Sequence, residues 1–558
     1  MNRLDIVNKL KDKPEVDVLI IGGGINGAGT FLDLAINDVN VLLIDRGDFC
    51  SGTSATSSHM AHGGIRYLEN GEFRLVREAV AERNRMICNS PHMVKPLPTV
   101  IPMFKFWSGL LNAPFKFLNL LDKPAERGAL VIKIGLIFYD SFTGKTRTVP
   151  AHKFFGKNET LRRYPRLNKE AKFSAMYYDG QILSPERLNT EIILDGESHG
   201  LNAHALNYAS FQRMEGDTVV IKDEHGNQEL RIKPKLIINA AGPWIDQVNH
   251  NLGFSTKYIG GTKGSHIIVD NPELREAIGE NEFFFENKDG RIVLLFPFFD
   301  KVIIGTSDLP IDNPDDAYCT KEEEKYFIDL VKRVFPDIPI LPEQIVFRFS
   351  GVRPLEFQHA KTTGQITRDH SIKENKVGDL SVLSLVGGKW TSYRAFGEQV
   401  TDLVLSRLNM PRKKTTENLH IGGGIDYPTN NDKKSYLDNL SLEYHIDRKI
   451  AEILFERYGT LVEKMLDYYG DKEVKLLDNK YLITENEIAY IAKNEKVIHL
   501  DDLLLRRTSI GWLGQANHEN INQIAAVTGK VIGWSTNEIK GEIDRTKSVF
   551  EKNHSVTL

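Results

Sequence analysis

Residues 16–45, VDVLIIGGGINGAGTFLDLAINDVNVLLID, leave this chain few folds to choose from. An apolar run from Val18 to Ile21 leads into Gly22, Gly24 and Gly27 in G-x-G-x-x-G spacing. Ile25, Ala28, Leu32 and Ala35 then recur at helical spacing, and a second apolar run, Val41 to Ile44, ends on Asp45. Strand, glycine turn, helix, strand and acid in that order form the layout of a dinucleotide-binding unit in a parallel sheet. The first glycine permits the turn, the second lets backbone approach a pyrophosphate, and the third lets helix pack on strand. The helix N-terminus offers free N–H groups and the positive end of its dipole to phosphate. Asp45 lies where a carboxylate accepts hydrogen bonds from ribose hydroxyls and repels a ribose phosphate.

A chain of 558 residues is too long for one core, so two or three domains are expected. The net charge of −4 gives no basic excess for nucleic acid, and none is expected as a partner. Cys50, Cys88 and Cys319 are scattered and odd in number, which argues against a disulfide framework and suits a reducing cytoplasm. No Cys/His grouping has zinc-site spacing, so no metal is expected. Residues 1–17 lack the apolar core of a signal peptide, and no stretch reaches the ~20 apolar residues that span a bilayer. Residues 104–121, FKFWSGLLNAPFKFLNLL, are rich in Phe, Trp and Leu with Lys105 and Lys116 between them. They read either as a segment lying in a membrane interface or as a buried or loop-covering segment. Pro114, which interrupts a long amphipathic helix, favours the second.

The pattern along the chain divides it into an α/β domain, an inserted second domain and a helical tail. Small residues dominate 51–58, which lets backbone and hydroxyls sit against a ligand. The run Leu236 to Ile238 into Asn239-Ala240-Ala241-Gly242-Pro243 reads as a further parallel strand, with ligands bound at the strands' carboxyl ends. Segments HIIV, RIVLLFPF and KVIIGTSD read as an antiparallel sheet, after which Ser350–Pro354 and Leu383–Lys389 read as a return to the first sheet. Residues 430–558 are polar and mostly helical in period. The expected partition is a discontinuous Rossmann-like dinucleotide domain (1–90, 186–255 and 347–410), a substrate domain (91–185 and 256–346) and a C-terminal helical domain (411–558). Ile421-Gly422-Gly423-Gly424 copies the start of the first loop, but Tyr427 and Pro428 follow where a third glycine and a helix are needed, so it reads as a plain turn. One good dinucleotide loop argues for one tightly held cofactor.

Ordered matches along nearly the whole chain resemble one family. They are Gly52–Ser58, His62-Gly63-Gly64-Ile65-Arg66-Tyr67-Leu68-Glu69, Ile134–Asp140, Asn239–Trp244, Lys263–His266, Ile304–Asp308, Ser350–Pro354, Ile366–Asp369, Gly387–Lys389 and Leu505–Thr508. They resemble the flavin-dependent glycerol-3-phosphate dehydrogenases and their oxidase relatives. The resemblance implies a bound FAD, oxidation of sn-glycerol 3-phosphate to dihydroxyacetone phosphate, and electrons passed to a membrane quinone. It also implies a cytoplasmic protein held peripherally on the inner face of the plasma membrane, and leaves a homodimer open.

Oxidising a secondary alcohol on a flavin needs a hydride acceptor, a base, an anchor for the substrate's anion and a dry pocket. His62 is the candidate base, because imidazole takes a proton near neutral pH. Arginine presents a planar fork that matches two phosphate oxygens. The resemblance puts Arg66, Arg353 and Arg368 around the substrate, with Tyr67 adding a hydrogen bond, Lys389 near flavin or phosphate, and Arg353 polarising the reacting oxygen. The cofactor contacts expected are Gly22, Gly24, Gly27, Asp45, Thr53, Ser54, Gly63, Gly64, Ala241, Gly242, Gly388, Lys389 and Thr391. The sequence departs from the family at His59, where Lys is usual, at Ser184-Pro185-Glu186 in place of Asp-Asp-Ala, and at Trp390 in place of Leu. These changes leave the exact substrate open. An oxidase that passes electrons to oxygen, an enzyme for another anionic hydroxy or amino compound, and a flavoprotein without catalysis are the rival readings.

Overall fold

The computed structural model describes residues 1–106, 128–143, 148–286, 292–357, 369–470, 474–478 and 480–558. Its first sheet is built from five parallel strands, β1 (Glu15–Ile21), β2 (Val41–Ile44), β3 (Ala203–Leu206), β4 (Gln228–Asn239) and β5 (Leu380–Val386), in the order β5-β4-β1-β2-β3. Alternate residues of β1 feed two cores. Val18 and Ile20 pack under the helices α1 (Ile25–Ile36), α2 (Pro185–His199) and α3 (Tyr393–Leu408). Leu19 and Ile21 pack against the N-terminal helix Arg3–Asp12 and the hairpin strand Thr218–Asp223. The two halves of β4 show what each environment demands. Its first half, paired with the hairpin, alternates buried and exposed residues, and its last four residues are buried on both faces within the parallel sheet.

Among the described residues the second sheet has ten strands and is antiparallel except where Glu282–Glu286 runs parallel to Val94–Met103. One face carries the core under the helices Pro272–Ile278 and Lys321–Val334. The other face turns towards the first domain and the C-terminal helices. Strand Ile345–Arg353 belongs here, paired along Thr262–Val269 with His266 opposite Phe349. The expected return to the first sheet at residue 347 is therefore corrected. The chain re-enters that sheet later, with Ser371–Val377 on the edge of β5. The two-residue strand Met60–Ala61 also joins the second sheet.

Helices dominate the described residues beyond 430, ending with His518–Ile532 and Thr536–His554. They dock on the first domain through buried charge. Asp48 accepts hydrogen bonds from Arg507 Nη1 and Nη2 at 2.8 and 2.9 Å and from Arg506 Nε at 2.6 Å. Burial alone would raise the Asp48 carboxyl, but the two guanidinium groups outweigh it and hold it well below the usual carboxylate range. Arg187 of α2 forms a second buried bridge to Glu495 at 2.9 and 3.0 Å.

Candidate active site

The carboxyl ends of β1, β2 and β4, the small-residue loop that follows β2, and the facing side of the second sheet enclose a cavity of about 1230 Å³. Gly22 turns with φ +114°, and a Cβ there would lie 2.5 Å from the Ala240 carbonyl oxygen. A Cβ on Gly27 would collide with the Gly22 carbonyl oxygen, so this glycine closes α1 on the turn. Gly24 faces the cavity, where Ser54 Oγ takes the Ile25 N–H at 2.9 Å. Asp45 accepts the backbone N–H of Gly23 at 2.7 Å and of Gly47 at 2.9 Å. Loss of water pushes its carboxyl up to about 6, against the pull of those two N–H groups. The first turn of α1 is tied to the loop after β5 by Asn26 Nδ2, which donates to the Gly387 carbonyl at 3.0 Å. Gly388 beside it has φ +89°, and a Cβ there would meet Asn26 Nδ2 at 2.7 Å.

This cradle fits a dinucleotide such as FAD. Backbone N–H groups and a helix N-terminus face the cavity at the glycine turn, Asp45 stands at the end of β2, and Ala241, Gly242 and Gly388 keep the remaining wall free of bulk. Thr53 lines the cavity too, but its hydroxyl donates to the Val352 carbonyl at 2.6 Å and pins the loop to the second sheet. Gly27, Gly63 and Thr391, also expected against the cofactor, are not among the residues that line the cavity. Thr391 holds the His62 backbone instead, accepting its N–H at 3.0 Å and donating to its carbonyl at 3.2 Å. Gly63 N–H donates to Asp179 Oδ1 at 2.9 Å and to Tyr139 Oη at 3.1 Å. Asp179 also accepts from Tyr139 and from Arg83.

His62, Gly64 and Tyr67 line the far part of the cavity with Arg353 and Lys389. The Arg353 guanidinium lies over Gly264, donating to Thr306 Oγ1 at 3.0 Å, the Ser307 carbonyl at 3.1 Å and Asp308 Oδ1 at 3.2 Å. Lys389 Nζ sits 4.4 Å from the centre of the Tyr67 ring. It is buried, and among the described residues no hydrogen-bond acceptor reaches it. An ammonium stripped of water and left without an acceptor is unfavourable until an anion arrives. Arg66 lies in the turn Ile65–Asn70 but its side chain, like Arg368, lies outside the described residues.

The departures from the family pattern have local explanations. Trp390 Nε1 donates to the Ser54 carbonyl at 2.8 Å, bracing the loop that carries the cofactor-facing hydroxyl. His59 is buried among Phe298, Phe349 and Trp512, and burial pushes it down to about 3, so it is a neutral core residue. Ser184 and Pro185 open α2, and burial pushes Glu186 in its first turn up to about 8. The support that Asp179, Tyr139 and Arg83 give behind His62 carries no local signal in the sequence. The residues Tyr177-Tyr178-Asp179-Gly180 were visible, but nothing local says that an acid at 179 reaches residue 63.

Comparison with known proteins agrees with this arrangement. A family model described as FAD dependent oxidoreductase matches residues 17–403, and one described as C-terminal domain of alpha-glycerophosphate oxidase matches residues 414–539. The chain is 30% identical to a glycerol-3-phosphate dehydrogenase of Synechocystis sp., over 98% of this chain and 99% of the relative. It is 31% identical to an aerobic glycerol-3-phosphate dehydrogenase of Staphylococcus haemolyticus, over 95% and 92%. The solved glycerol-3-phosphate dehydrogenase of Bacillus halodurans, complexed with FAD, shares the fold with a TM-score of 0.75 at 22% identity, over 99% of this chain and 97% of that one. With its dinucleotide cradle and both family regions in order, the chain belongs to the FAD-dependent oxidoreductases and, among them, to the glycerol-3-phosphate dehydrogenase family.

Proposed function

We propose that this protein oxidises sn-glycerol 3-phosphate to dihydroxyacetone phosphate. The observation that carries the reading is the buried Lys389 ammonium, which no acceptor among the described residues reaches, in the same cavity as His62 and Arg353. The names of the full-length relatives point the same way. FAD, when bound, supplies the hydride acceptor for the carbinol carbon. It rests on Gly22, Gly24, Ser54, Asp45, Ala241, Gly242 and Gly388.

His62 takes the hydroxyl proton at its imidazole while Thr391 fixes its backbone. The Arg353 fork and the Lys389 ammonium hold the phosphate, Arg353 also polarises the reacting oxygen, and Tyr67, Arg66 and Arg368 complete the anion site. The test is anaerobic bleaching of the bound flavin. Glycerol 3-phosphate should bleach it, and glycerol and lactate should not; bleaching by none of the three would sink the reading. Peroxide formed in step with turnover in air would favour oxygen as acceptor.

Electrons leave, in this proposal, to a membrane quinone from a protein bound peripherally to the inner face of the plasma membrane. No helix among the described residues is long and apolar enough to cross a membrane. Of the segment 104–121 only Phe104, Lys105 and Phe106 are described. Support comes from the helix Ala129–Thr143, which leaves Ile134, Ile137 and Phe138 exposed at 44%, 53% and 51%. Replacing Ile137 and Phe138 together by Glu should release at least half of the protein from sedimenting anionic vesicles. Unchanged co-sedimentation would remove this patch from the proposal.

A further inference from the structure

We propose that Glu282 recognises the substrate's terminal hydroxyl, the one farthest from the phosphate, through an O–H donated from its carboxyl into the cavity. The inference rests on the reading of the site as one for glycerol 3-phosphate.

Glu282 begins the strand Glu282–Glu286, is 1% exposed, and lines the cavity. Strand alternation puts Glu282 and Phe284 on the cavity face and Phe283 and Phe285 in the core behind it. Thr99 Oγ1 donates to Glu282 Oε2 at 2.6 Å. Its other oxygen, Oε1, is buried and has no hydrogen-bond partner among the described residues. A buried polar oxygen with no partner costs free energy unless something else supplies one.

The protonation state follows from the surroundings. Burial pushes this carboxyl up to about 8, and the neighbouring charge of Asp179 pushes the same way against the Thr99 hydrogen bond. Asp179 and Tyr177 on strand Phe173–Ile182 are the titratable groups facing it, and Asp179 is itself paired with Arg83. At neutral pH Glu282 keeps its proton. Because Thr99 already donates to Oε2, that proton resides on Oε1. A neutral O–H donor can approach a hydroxyl oxygen without repelling a phosphate nearby, which a carboxylate cannot do.

Glu282 stands on the His62 side of the cavity. Asp179, whose charge acts on Glu282, accepts the Gly63 N–H next to His62, and Tyr177 of the same strand lines the same wall. With the phosphate held at Arg353 and the reacting hydroxyl at His62, the hydroxyl farthest from the phosphate is the one that meets this wall.

The test compares glycerol 3-phosphate with propane-1,2-diol 1-phosphate, which keeps the phosphate and the reacting hydroxyl but carries a methyl group in place of the terminal one. The wild-type holoenzyme should prefer glycerol 3-phosphate by ~10²-fold or more in kcat/KM. Glu282→Leu should shrink that preference below ~10-fold, by losing rate with glycerol 3-phosphate alone. Glu282→Gln keeps a donor and an acceptor and should retain most of the preference. For wild type, kcat/KM should decline from pH 7 to 9 as the carboxyl ionises, and Glu282→Gln should lack that decline. An unchanged flavin spectrum shows that each variant is folded. A Glu282→Leu variant with wild-type preference, or a wild type indifferent to the terminal hydroxyl, overturns the inference and leaves the functional reading standing. Failure of glycerol 3-phosphate to bleach the wild-type flavin overturns both.

Discussion

Replacing Arg353 by Ala should lower kcat/KM for glycerol 3-phosphate by about 10²–10⁴ while the flavin stays bound, since two hydrogen bonds to a charged group contribute ~1.5–3 kcal/mol each. The guanidinium is placed for this task. It lies across Gly264, where any side chain would displace it, and Thr306 and Asp308 hold it from one side. Its ion pair with Asp308 is partly solvated, so its removal should change stability little. Arg353→Lys should recover part of the loss, because an ammonium keeps the charge without the two-pronged geometry. Anaerobic bleaching rates against substrate concentration check the prediction. An alanine variant within ~10-fold of wild type would remove Arg353 from the substrate site.

The largest stability effect is expected at Asp48. Asp48→Ala leaves the buried guanidinium groups of Arg506 and Arg507 facing each other without their shared carboxylate. Removing one partner of such a buried pair costs ~3–5 kcal/mol. Asp48 lies three residues beyond Asp45, on the loop that walls the cavity, so the thermal midpoint and the temperature of flavin release should fall together. The sign with pH follows from the depressed carboxyl. Its contribution is complete above the ordinary carboxylate pKa of ~4 and fades as pH falls below that value. The variant should therefore show less acid sensitivity between neutral pH and pH 3 than wild type. Calorimetry with flavin fluorescence measures both quantities, and a variant that melts and releases flavin with wild type would show that the C-terminal helices are not held by this charge.

Much of the fold could be read from local pattern. The βαβ unit, the strand ending at Asn239 and the helical tail each carry a period and flanking turns that a few neighbouring residues define. Ser350–Pro354 was legible as part of a sheet, but not that it ends the strand Ile345–Arg353 of the second one. That strand's partner, Thr262–Val269, lies some eighty residues earlier, and an alternating apolar pattern suits either sheet. The site was legible where glycine spacing or a charged side chain marked it. It was not legible where a residue works through a distant partner. Thr391 bonds the His62 backbone and Gly63 bonds Asp179, partners that no local pattern marks.

The sequence by itself determined that one dinucleotide loop exists, that Gly22, Gly24 and Gly27 shape it, and that Asp45 terminates the second strand, because these depend on backbone freedom and periodicity within thirty residues. Only the tertiary structure decided which charges are paired and which are left waiting. Asp48 meets Arg507 across 459 positions, Thr53 meets Val352 across 299, and Glu282 meets Thr99 across 183. The physical reason is that burial removes water, and the cost of a polar group then depends wholly on its neighbours. Lys389 and Glu282 are ordinary charged residues in the sequence. Folding makes one a buried ammonium that no acceptor among the described residues reaches, and the other a carboxylic acid that keeps its proton at neutral pH.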